Sequence, residues 1–98
     1  MDLPLLEDKI LELQMCLHAH VPFQSVVAEI VSKRLGRVHD LSNDPRYREE
    51  PMAKFVVEDD VAEIRRRITE LDLDVAVHVQ MDHIAQQIGE IAGSILED

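Results

Sequence analysis

The stretch Leu73–Leu96, LDVAVHVQMDHIAQQIGEIAGSIL, decides whether this chain is all-helical or mixed. Read as a helix, it sets Leu73, Val77, Met81, Ile84, Ile88, Ile91 and Ile95 on one stripe. Steps of three or four residues keep side chains on one face at 3.6 residues per turn. Asp72 or Asp74 is then placed to cap the first turn, where an acid also suits the positive end of the helix dipole. A second stripe, Ala85, Gly89 and Ala92 or Gly93, is small enough to let another helix, or a second copy of the chain, come close.

Read as a strand followed by a helix, the same stretch behaves differently. Leu71, Leu73, Val75, Val77 and Val79 alternate with Asp72, Asp74, Ala76, His78 and Gln80, the period of two of a half-buried strand. Asp82 would then cap a shorter helix from His83. This version gives Val75 and Val79 a purpose and suits their β-branched side chains. The helical reading is preferred because the apolar stripe keeps its phase from Leu73 to Ile95, and no glycine or proline marks a turn at either end of a strand.

Working upstream, Val61, Ile64, Ile68 and Leu71 form an amphipathic helix with Asp59 and Asp60 at its expected start. Arg65, Arg66 and Arg67 lie on its outer side, and Glu63 stands four residues before Arg67 in the favourable order. MAKFVV, residues 52–57, reads either as the first turns of that helix or as a short strand. The expected fold is therefore mainly α, a bundle of about four helices. The alternative is α+β, with strands near 52–57 and 71–80.

Residues 37–50, RVHDLSNDPRYREE, read as a polar loop within a single domain spanning residues 1–98. Ser42-Asn43-Asp44-Pro45 is strong turn chemistry, and Gly36 is placed to end the preceding helix in the left-handed conformation. A solvated linker is the expected form, with an ordered segment crossing the bundle as the alternative. The helix before it is expected from Pro22 to Leu35, with Phe23, Val26, Val27, Ile30 and Val31 inward. His18-Ala19-His20-Val21-Pro22 breaks the chain, since proline disfavours helix in the residue before it. The first helix runs from about Pro4 to Ala19, with Asp2 as its cap and Leu3, Leu6, Ile10, Leu13 and Leu17 on its apolar stripe. Leu5, Leu11 and Met15 widen that face until it needs more than one neighbour.

Composition narrows the function classes. Twenty acidic against ten basic residues leave a net charge of −10. Such a chain is repelled by phosphate backbones and anionic membranes, so neither nucleic acid nor membrane is an expected partner. Phe23, Tyr47 and Phe55 are the only aromatics, which leaves an aliphatic core and no platform for stacking bases. Cys16 is the single cysteine, so no internal disulfide forms, and its apolar neighbours suit a structural thiol. No apolar run approaches the ~20 residues of a membrane span, and MDLPLLEDK lacks the pattern of a signal peptide. The expected address is the cytoplasm.

The pattern offers three chemistries. His78, Asp82 and Asp74 share a helix edge at steps of four, a spacing that holds one ion, and zinc, iron or manganese would suit the donors. No Glu-x-x-His pair, HExxH or cysteine pair supports that reading, so no cofactor is expected, with a metal as the alternative. Catalysis by His78 or His83 has no spacing signature, and no phosphate loop or nucleophile elbow is present. The favoured expectation is a non-enzymatic interaction module, an adaptor, regulator or assembly factor, acting with an unidentified protein partner. It is expected to be a homodimer through Leu3, Leu6, Ile10, Ile84, Ala85, Ile88, Gly89 and Ile91.

Overall fold

A computed structural model describes residues 2–97. Helix α1 spans Leu3–His20. Asp2 stands at its cap position, but its side chain makes no capping bond; its carbonyl takes the first helical hydrogen bond from the Leu6 N–H at 2.9 Å. The helix ends where Val21, ahead of Pro22, turns extended.

Helix α2 spans Val26–Asn43, which corrects the sequence reading at both ends. It starts late because the Ser25 hydroxyl accepts from the Val27 N–H at 3.2 Å and so fixes the first turn. Phe23 and Val26, expected inward, are therefore 75% and 70% exposed. The helix also runs through Gly36, which has no positive φ. Val38, Leu41 and Ser42 continue the buried stripe of Val31 and Leu35. Burying those apolar side chains offsets the roughly 1 kcal/mol that an interior glycine costs. The polar loop expected over 37–50 thus begins only at Asp44. There Asp44 closes α2 and caps the short helix α3, Pro45–Arg48, accepting from the Arg46 N–H at 2.9 Å. This segment is ordered and crosses the end of the bundle, with Arg48 donating to the Ile95 carbonyl at 3.2 Å.

Helix α4 spans Ala53–Thr69, and helix α5 spans Val75–Glu97. Residues 53–57 open α4, with Met52 at its cap position, and Val75–Gln80 open α5, so the α+β alternative is excluded among the described residues. Val75 and Val79 lie on the outer face of α5, 79% and 63% exposed. The fold is the mainly α bundle expected, four long helices and one short one.

The helices run up and down in turn. Glu7, near the start of α1, meets His39, near the end of α2; Lys54, at the start of α4, pairs with Glu97, at the end of α5. Round the bundle the order is α1, α2, α4, α5, and the α1–α2 edge is the most sparsely packed of the four sides. The core is aliphatic: Leu6, Leu13, Leu35, Ile64, Ile68, Met81 and Ile88 are fully buried, while both phenylalanines face outward. No helix of the described residues is long and apolar enough to cross a membrane.

Because α4 begins at Ala53, Asp60 does not cap a helix start. It lies in mid-helix, 1% exposed, facing α2. Arg34 donates to its Oδ1, and Arg37 Nε stands 3.3 Å from Oδ2, off the hydrogen-bond direction. Arg34, expected near the end of α2, is thereby a mid-helix strut between α2 and α4.

Candidate functional site

Of the three residues expected to hold a metal, His78 and Asp82 have side-chain partners within the chain. The His78 Nε2–H donates to the Leu71 carbonyl at 2.7 Å, closing the turn between α4 and α5. Asp82 takes a two-pronged bond from Arg65, at 2.8 Å from Nε and 3.0 Å from Nη2. Those bonds hold the Asp82 carboxyl below the usual carboxylate range. Asp74 is exposed at the start of α5, its carbonyl accepting from the His78 N–H at 3.0 Å. No group of three or more His, Cys, Asp or Glu able to hold an ion occurs among the described residues. Burial, and next the charge of Glu12, push the Cys16 thiol up, which disfavours its thiolate.

Most of the residues expected at a dimer interface pack into the chain's own core. Leu6, Ile10, Ile84, Ala85 and Ile88 are buried in the single chain, and Leu3 and Ile91 pack against that core. A Cβ placed on Gly89 would lie 3.1 Å from Val61 Cγ1, so the small stripe of α5 seats α4. Gly93, the other glycine considered for that stripe, meets nothing within 4 Å.

The open feature of the fold is instead the seam between α1 and α2. Toward its upper end lies a hollow of about 860 Å³, walled by Met15, Leu17 and His18 of α1 and by Ala28 and Ser32 of α2. Phe23, in the turn between them, stands edge-on to His18 with ring centroids 5.0 Å apart and closes that end. A second hollow of about 390 Å³ continues down the seam between Ile10, Leu11 and Gln14 on one side and Leu35, Gly36 and His39 on the other. Gln14 borders both hollows, which follow one another along the seam and are together called the groove.

The local sequence explains its shape. Ala28, Ser32 and Gly36 recur every four residues, so they share the α2 face turned to α1. A Cβ on Gly36 would meet nothing within 4 Å. On the other wall Leu11 and Met15 are 54% and 64% exposed, apolar side chains that nothing in the chain covers. Across this seam the one side-chain hydrogen bond among the described residues is His39 Nε2 to Glu7 Oε1, at 3.1 Å.

Sequence reasoning named Leu11, Met15 and Phe23 but did not bring them together. Ala28 and Ser32 carry little apolar signal, and a helix ending at Gly36 hides the four-residue repeat that joins the three. No known protein family matches the chain, and neither a curated protein sequence nor a solved structure is similar to it.

Proposed function

We propose that this protein is a non-enzymatic interaction module whose α1–α2 groove receives one helix of a partner protein. The observation that carries the reading is the groove itself: exposed Leu11 and Met15 face a floor of Ala28, Ser32 and Gly36 with room for further atoms. Small residues let a helix backbone approach closely, and an apolar trough between two helices is a recurrent seat for an amphipathic helix. Met15 adds an adaptable thioether contact. A cytoplasmic setting is in keeping with the single thiol.

Of the residues expected to pair two copies, Leu6, Ile10, Ile84, Ala85 and Ile88 are buried within the single chain, while Leu3, Gly89 and Ile91 are partly exposed. Self-association through the groove would also set the acids on its rims, Glu7, Glu29 and Asp40, against their own copies.

The test compares what three forms of the protein retain from its source cells. A protein held by the native chain should be lost with Ser32→Leu, which fills the groove, and kept with Val79→Asp, which alters the exposed face of α5. Loss with Val79→Asp and retention with Ser32→Leu would move the binding surface to α5 and end this reading.

A further inference from the structure

We infer that the helix received by the groove is basic: an apolar stripe flanked by lysines or arginines. This rests on the groove being a helix seat, and adds the chemistry of its occupant. The ionisable residues along the groove are Glu29 on the α2 rim of the upper hollow, Glu7 and Asp40 on the two rims of the lower one, and the histidines His18 and His39. No lysine or arginine lines either hollow.

Lys33 stands near Glu29, while the arginines of α2 and α4 are committed elsewhere. Arg34 and Arg37 turn toward Asp60 on the α4 side of α2. Arg65 is bound to Asp82, and Arg66 and Arg67 to Glu63. Lys33 lies 3.5 Å from Glu29, but both side chains are mostly in water, 77% and 66% exposed, where such a pair is weak and readily exchanged. Asp40 is 75% exposed and pairs only loosely, at 3.7 Å, with His39 Nδ1. Glu7 is held by His39 across the seam at 3.1 Å, so the accessible rim acids are Glu29 and Asp40 of α2, on a chain of net charge −10.

Spacing sets the partner's pattern. Glu29 and Asp40 are eleven residues apart on one edge of α2, about 16 Å at 1.5 Å per residue. A helix lying along the groove would therefore carry basic residues about three turns apart on the flank facing α2. A second copy of this chain does not match, because it brings acidic rims to acidic rims.

The experiment is selection from a displayed library of helices about 16 residues long, with leucine fixed along one stripe and every flanking position randomised. Selected helices should be enriched in lysine and arginine at the flanks. Their binding to the full chain should fall about tenfold or more with Glu29→Lys plus Asp40→Lys, and weaken as salt rises. It should be abolished by Ser32→Leu. Enrichment of neutral or acidic flanks, with binding still lost in Ser32→Leu, would overturn the basic partner and leave the groove as a helix seat. Binders indifferent to Ser32→Leu, or no enriched helix at all, would overturn both. A dimer in native mass spectrometry that Ser32→Leu separates would make the occupant a second copy and overturn the basic helix.

Discussion

Two seams of this bundle carry a row of small residues, and the chain treats them in opposite ways. On α5 the row Ala85, Gly89 and Ala92 lies against α4, where Val61 occupies the space a glycine leaves. Arg65 and Asp82 bridge the same seam, and His78 ties its turn. On α2 the row Ala28, Ser32 and Gly36 faces α1 with nothing close to Gly36, and one Glu7–His39 bond spans the gap. Small residues therefore do not specify closeness by themselves. What decides is whether the opposite helix brings a side chain to the gap, and α1 turns its fully buried leucines to the core instead.

The sharpest break of this comparison is Gly89→Leu. Forcing a leucine against Val61 should destabilise the fold by about 3 kcal/mol or more, through overpacking of a seam that cannot part. Urea unfolding measures it, and an unchanged midpoint would show that the α4–α5 seam is as open as the other. Next in size is Arg34→Ala, which leaves the buried Asp60 carboxylate with only the poorly aligned Arg37. A loss of about 2–3 kcal/mol is expected in the same assay, because an under-compensated buried charge is the costly outcome.

At the open seam the sign reverses. Gly36→Ala should stabilise the protein by about 0.5–1 kcal/mol, as helix propensity improves and the new methyl meets no neighbour. A destabilised Gly36→Ala would mean that α1 closes on α2 in solution. Smallest of all is the Arg65–Asp82 bridge. Arg65 depresses the Asp82 value, so the pair stabilises the fold fully above about pH 4 and this is lost as pH falls through the depressed value. Both side chains are more than two-fifths exposed, which limits the effect to a few tenths of a kcal/mol. Comparing Asp82→Asn with the native chain should show a small deficit at pH 7 that shrinks as the pH falls below about 4.

Sequence carried the fold further than it carried the site. The stripe from Leu73 to Ile95 holds its phase, and that phase is physical: it puts Met81, Ile84 and Ile88 in the core. The Asp44-Pro45 break was equally readable, because proline and an Asx cap act locally. Val38 and Leu41 were in phase with Leu35 and could have extended α2, but Gly36 and the polar residues around them outweighed two apolar positions. The early start of α4 was masked in the same way by Asp59 and Asp60, which resemble a cap. Pattern also tells which face is apolar without telling what covers it. Leu6 and Ile88 are covered by the chain, Met15 is not, and that distinction arises only when the four helices settle their distances.

The outward placement of every aromatic ring has a practical consequence. Tyr47 sits on the surface of α3, both phenylalanines are exposed, and the chain has no tryptophan. Its interior is therefore optically silent, and intrinsic fluorescence will follow α3 rather than the core. The same silence makes Phe23→Trp a background-free reporter: one indole beside His18 at the mouth of the groove, changing colour and intensity when that end is covered.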